Sequence, residues 1–167
     1  MKRWKCGVCG YVHTGDSAPE RCPVCGAPMS KFTEVKEEGM SLSEYINAQI
    51  NGEAWEVTHY MAAGLLADEL GYANVAETLK SIAQEEAYHG ANYVFRSNEL
   101  GDNKEALVEF VKKMIDAEIG AHKMKSEGAS LALAEGKDEI AAFFKISAED
   151  EARHSKMWKW ALKELEK

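Results

Sequence analysis

The chain has 167 residues, 46% of them hydrophobic, and a formal net charge of −8 at pH 7. That is enough apolar material for a packed core, whereas no apolar run approaches the length of a membrane span. No basic stripe is available to neutralise nucleic-acid phosphates, so a nucleic-acid partner is not expected. The charge is also uneven, since residues 1–36 sum to +3 and the remainder to −11. The opening Met1-Lys-Arg-Trp-Lys-Cys6 contains no apolar h-region, which gives a cytoplasmic expectation with no membrane association.

Residues 1–36 hold all three prolines and all four cysteines, the latter as Cys6-Gly-Val-Cys9 and Cys22-Pro-Val-Cys25. A disulfide framework spreads its cysteines through the fold, so this clustering indicates a metal site in a reducing compartment. Two Cys-x-x-Cys knuckles with twelve residues between them supply a tetrahedral sulfur site for zinc or iron. Gly10 and Gly26 each follow the second cysteine of a pair, where a tight turn aims backbone N–H groups at sulfur. Trp4, Tyr11 and Phe32 supply a small aromatic cover. Taken alone, the module fits a structural zinc ribbon as well as a one-electron Fe(Cys)4 centre.

A linker follows at 37–40, beside Lys36-Glu-Glu-Gly39, and residues 41–167 form a second domain without proline, rich in Ala, Glu, Leu and Lys. Ser41-Leu-Ser-Glu44 has capping-box spacing and opens the first helix, which runs to about Leu70 and stops at Gly71. A second helix is predicted over about 72–99, broken by Gly101-Asp-Asn103. The third runs over about 104–135 to Gly136, and the fourth from about 137 to the end. Helices of this length make an antiparallel four-helix bundle, with a longer connection between the second and third.

The bundle carries an internal repeat. Glu53, Glu86 and His89 recur at one constant offset as Glu118, Glu151 and His154, in step with Gly71/Gly136, Val75/Ile140, Ala83/Ala148 and Ala87/Ala152. Glu-x-x-His puts a carboxylate and an imidazole on one face of a helix. One Glu from each of two helices, with Glu-x-x-His from the other two, is the di-iron or di-manganese pattern. Two neighbouring cations repel, so carboxylates must neutralise them while each imidazole caps one ion. A single such motif is usually solvated decoration, but six residues obeying one offset are not. A redox di-metal site needs an electron donor, and this favours iron in the cysteine module.

Glu56 lies one turn after Glu53, yet its counterpart at the same offset is Ala121, so the repeat fails there. An extra carboxylate on one side would make the two metals inequivalent; the plain alternative is a solvent-facing or lysine-paired Glu56. Tyr60 points toward the same core, either bonding a ligand carboxylate or simply buried. His122, His59 and His13 are read as surface or supporting residues, and Trp55, Trp158 and Trp160 as packing or interface residues.

With both modules in view the chain resembles the rubrerythrins over essentially its whole length. Cys6-Gly-Val-Cys9-Gly-Tyr-Val-His13 and Cys22-Pro-Val-Cys25-Gly come first, as in the reverse-rubrerythrin branch. The resemblance implies a ferritin-like di-iron bundle and one iron held by Cys6, Cys9, Cys22 and Cys25. It implies two irons held by Glu53, Glu86, His89, Glu118, Glu151 and His154. The family's additional glutamate, one turn after the third-helix ligand, exchanges with the second-helix histidine as the metals change redox state. Ala121 occupies that position here, so the extra ligand is expected at Glu56, competing with His154.

The implied function is reduction of hydrogen peroxide, as in oxidative-stress defence. Electrons would come from an NAD(P)H-dependent rubredoxin reductase or from rubredoxin, and Glu56 and Tyr60 would manage protons. No Gly-rich dinucleotide fingerprint is present, so NADH itself is not expected to bind. An O2 reductase and a ferritin-like iron oxidation and storage protein are the alternatives, with a zinc-bearing structural scaffold behind them. A homodimer or larger homo-oligomer is expected, in which helices can be exchanged and one subunit's cysteine module can serve another's di-iron site.

Overall fold

The computed structural model describes residues 1–35 and 40–167. The predicted linker at 37–40 lies, apart from Met40, outside the described residues. The chain is mainly α, with four long helices and a small N-terminal β module, and it divides into two compact units, Met1–Glu99 and Leu100–Lys167.

The first unit opens with a three-stranded antiparallel sheet, β1 Lys2–Cys6, β2 Val12–Gly15 and β3 Phe32–Val35, in the order β2-β1-β3. Trp4 pairs with His13 on one side and Glu34 on the other, which brings Cys6 opposite Phe32 at the end of the sheet. So small a sheet cannot bury much. Its core is Cys6, Cys9, Cys22, Ala18, Ala27 and Phe32, with Trp4 and Tyr11 packed against them as expected.

α1 (Leu42–Glu69) begins at the capping box its sequence announces: the Ser41 hydroxyl accepts from the Glu44 N–H, and the Glu44 carboxylate accepts from the Ser41 N–H. It packs against α2 (Ala73–Arg96). In the second unit α3 (Lys104–Ala134), capped by Asn103, packs against α4 (Asp138–Leu165). Gly71 and Gly136 take positive φ, 82° and 70°, at the tight corner of each hairpin. Each hairpin closes on small residues at matching repeat positions, Ala67, Ala76 and Ala83 in one and Ala132, Ala141 and Ala148 in the other, all buried. Alanine at these places lets two backbones approach, so the constant offset of the sequence is an offset of packing as well. No described helix is long and apolar enough to cross a membrane.

Candidate metal centres

The two cysteine knuckles have the same backbone wiring. In the first, the Gly10 N–H donates to the Cys6 carbonyl and the Cys6 N–H to the Tyr11 carbonyl; in the second, Gly26 donates to Cys22 and Cys22 to Ala27. Gly10 and Gly26 adopt φ of 82° and 70°, the left-handed region that a side chain disfavours. The four sulfurs converge, with Cys6 Sγ 3.7 Å from Cys25 Sγ and Cys9 Sγ 3.6 Å from Cys22 Sγ. Sulfurs about 2.3 Å from a central ion stand about 3.8 Å apart in a tetrahedron, so the cage fits a single Fe or Zn. Burial pushes the Cys9 and Cys25 thiols up. At Cys6 burial acts in the same sense but is outweighed by the N–H groups of Cys9 and Val8, and the thiol falls.

Within the first unit α1 and α2 bring Glu53, Glu86 and His89 together, one ligand atom of each lying within 4.8 Å of the others. Gly90 makes room: a Cβ there would lie 3.2 Å from Glu53 Cβ. Glu53 is 9% exposed, and among the described residues its Oε2 is the buried side-chain oxygen or nitrogen without a hydrogen-bond partner. Burial, with Glu86 beside it, raises the Glu53 carboxyl to about 7. Glu86 is lowered by its hydrogen bonds with Glu53 and His89, and His89 is raised by its 2.8 Å bond to Glu86. An orphaned, buried carboxylate oxygen beside a second carboxylate and an imidazole is the donor set a cation satisfies.

The second unit repeats the arrangement with Glu118, Glu151 and His154 from α3 and α4, again within 4.8 Å. Its surroundings differ. The Lys125 ammonium pairs with Glu151, and the Trp158 indole N–H donates to Glu118 Oε1 at 3.1 Å. Glu151 is held down at about 2, first by its hydrogen bond with Glu118 and then by Lys125. Sequence reading missed both neighbours. Lys125 is the repeat counterpart of Tyr60, so the offset places it at the site, but the change from phenol to ammonium hides the correspondence. Trp158, expected to be a packing residue, also orients a ligand carboxylate.

Glu56 and Tyr60 are neighbours, with the Tyr60 hydroxyl donating to Glu56 Oε1 at 3.2 Å. Burial raises the Tyr60 phenol, and the Glu56 charge adds to it. The Glu56 carboxylate is not among the three converging ligand atoms of its hairpin. The expected supporting histidines take structural parts: His122 Nδ1 lies 2.8 Å from the Ala148 carbonyl, tying α3 to α4, and His59 stacks on Trp55 at 3.7 Å.

The cysteine module sits on its own chain's α1. A Cβ on Gly10 would come within 3.0 Å of the Ala48 backbone, and one on Gly52 within 3.7 Å of the Cys9 carbonyl. A cavity of about 210 Å³ opens between knuckle and helix, lined by Cys9, Gly10, Tyr45, Gly52, Glu53 and Glu56 among others. The Arg3 guanidinium donates to the Tyr45 hydroxyl at 2.5 Å and ties the sheet to the helix start. A sulfur cage and a carboxylate ligand therefore share one small space.

Known proteins are similar to this chain, some over most of its length and some over its cysteine module. The family described as "Rubrerythrin, rubredoxin-like domain" matches residues 4–33. Reverse rubrerythrin-1 of Clostridium acetobutylicum is 39% identical over 97% of this chain and 97% of its own length. An uncharacterized protein of Methanocaldococcus jannaschii is 37% identical over 75% of this chain and 86% of its own. A rubrerythrin of Nitratidesulfovibrio vulgaris is 53% identical, but over 18% of this chain and 16% of its own.

Proposed function

Because this chain belongs to the rubrerythrin family in its reverse arrangement, we propose that it reduces hydrogen peroxide to water at a carboxylate–histidine iron pair fed through its Fe(Cys)4 module. The observation that carries this reading is the seat of the Cys9–Gly10 knuckle on α1, beside Glu53. Storing iron needs no one-electron centre packed against a ligand-bearing helix; a reductase does.

When bound, the iron pair would supply the two electrons that cleavage of the O–O bond requires, and an iron held by the cysteines would supply one-electron transfer to restore them. The chain's own residues set the conditions for that chemistry. Cys6, Cys9, Cys22 and Cys25 hold the single iron. Glu53, Glu86 and His89 would hold the pair together with Glu118, Glu151 and His154. Glu53 gives up its proton when a cation binds, because the attraction of the cation outweighs the burial and the neighbouring Glu86 that raise its carboxyl. Tyr60 and Glu56 hold a proton at the edge of the cavity beside Glu53, where departing water needs one. Glu56 is the extra carboxylate displaced from the Ala121 position, and it makes the two halves of the site inequivalent. Trp158 and Lys125 fix the carboxylates of the second set. Residues 1–36 act as the electron-entry module and 41–167 as the catalytic bundle. An NAD(P)H-dependent rubredoxin reductase or rubredoxin in the cytoplasm supplies the electrons.

The test is anaerobic reduction of iron-loaded protein followed by one equivalent of hydrogen peroxide, with visible absorption as the readout. Rapid return of the oxidised Fe(Cys)4 bands is expected, slowed in Glu56→Ala and abolished in Glu86→Ala. Bands that stay bleached in the wild-type protein, or a colourless zinc-filled cysteine site after iron loading, would sink the peroxidase reading.

A further inference from the structure

We propose that the two ions of the pair load in a fixed order and that Lys125 sets it: the first enters at Glu53, Glu86 and His89, and the second must displace the Lys125 ammonium from Glu151. This rests on the iron-pair reading above and adds which residue separates the two ions in affinity.

The first argument is charge, read through the repeat. At its constant offset all the ligands match in type, but two neighbours on the same helix face do not: Glu56 is answered by Ala121, and Tyr60 by Lys125. A residue seven places after a ligand glutamate lies two turns further along one face, so Tyr60 and Lys125 hold equivalent places and differ in charge. Glu56 lines the same cavity as Glu53 and accepts the Tyr60 hydroxyl at 3.2 Å. The first set thus gathers three carboxylates, and among the described residues no lysine or arginine pairs with them. The second set gathers two carboxylates with an ammonium on one of them. A divalent cation is attracted more strongly by the first.

The second argument is which oxygens are already satisfied. The buried Glu53 Oε2 has no hydrogen-bond partner, so an ion arriving there displaces nothing from that oxygen and relieves a desolvated acceptor. In the second set both carboxylates are engaged: the Trp158 indole N–H donates to Glu118 Oε1 at 3.1 Å, and Lys125 reaches from α3 to Glu151 on α4. That ion pair is half-buried, with the Lys125 side chain 31% exposed and that of Glu151 14%, so it is screened less than a pair on the open surface. An ion must break it to take Glu151. The ammonium can leave without opening the hairpin. Ala129, Ala132, Ala141 and Ala148 close α3 on α4, as does the 2.8 Å contact of His122 Nδ1 with the Ala148 carbonyl, and Lys125 takes part in neither.

Manganese(II) is the probe, because electron paramagnetic resonance distinguishes the free ion from the bound one. Full-length protein with iron in its cysteine site, and with both carboxylate sets emptied by chelator, is titrated anaerobically. Two binding steps are expected, the tighter lost in His89→Ala and the weaker in His154→Ala. Repulsion between the ions separates the steps in any such pair, so the Lys125 variants carry the test. Lys125→Met should leave the first step in place and tighten the second by about tenfold or more, the scale set by one unit charge a few ångströms away in partly screened surroundings. Lys125→Arg keeps the charge and should keep the steps apart; Lys125→Gln replaces the methionine variant if thermal melting shows the latter unfolded. An unchanged second step without the charge overturns the role of Lys125, as does loss of the tighter step in His154→Ala. Wild-type protein that binds fewer than two manganese ions overturns the iron-pair reading instead, so the two failures are separable.

Discussion

Glu53 concentrates the electrostatic conflict of the metal-free first half-site. Its carboxyl is raised to about 7 by burial and by Glu86, and the pair in effect shares one proton. A group whose folded pKa lies above its unfolded value stabilises the fold below the unfolded value and loses that contribution as pH rises through the folded one. His89, raised by Glu86, acts in the same sense. Glu151, held at about 2, acts oppositely, but its contribution is lost only as pH falls below the usual carboxylate range. Metal-free protein should therefore unfold at a lower temperature at pH 8 than at pH 5.5, and iron-loaded protein should not. Thermal scans with and without chelator measure this, and an equal pH response in both forms would remove Glu53 from the account. All six Glu and His positions are legible in the sequence because identity at a fixed offset needs no fold to be seen. Lys125 and Trp158 are not, because a neighbour recruited to orient a ligand obeys no offset of residue type.

Helices are legible where local chemistry ends or begins them. Ser41 and Glu44 announce the start of α1 by spacing alone, and Gly71 and Gly136 mark both hairpin corners. The end of α2 is expected near residue 99, whereas the helix stops at Arg96 and Asn98 takes φ of 59°. Asparagine tolerates the left-handed region, so the chain turns before the glycine that marks the predicted break. The seat of the cysteine module on α1 has no sequence signature. It depends on Gly10, Ala48 and Gly52 being small at positions that meet only once the sheet has folded onto the helix. Ala48→Leu should wedge the knuckle away from α1 at a cost of about 1–3 kcal/mol. The Fe(Cys)4 spectrum should survive, since no cysteine or knuckle hydrogen bond is touched, while electron transfer to the iron pair slows severalfold in stopped-flow reoxidation. Unchanged transfer would mean that electrons enter by another face.

At the scale of the whole molecule, charge and metal are linked. Residues 37–167 carry −11, and four of those carboxylates, Glu53, Glu86, Glu118 and Glu151, lie in the two converging ligand sets. Two divalent cations match those four carboxylates in charge. Without them each hairpin holds two carboxylates close together in a partly desolvated space, and the packing of the hairpin opposes the repulsion. Metal thus acts as a ligand of the folded state and stabilises it by mass action. Chelation should lower the melting temperature, with the drop reduced as salt is added, because screening weakens the repulsion and leaves apolar burial intact. Calorimetry of loaded and stripped protein over a salt series measures both effects. The same melting temperature with and without metal would mean that the two carboxylate sets do not hold it.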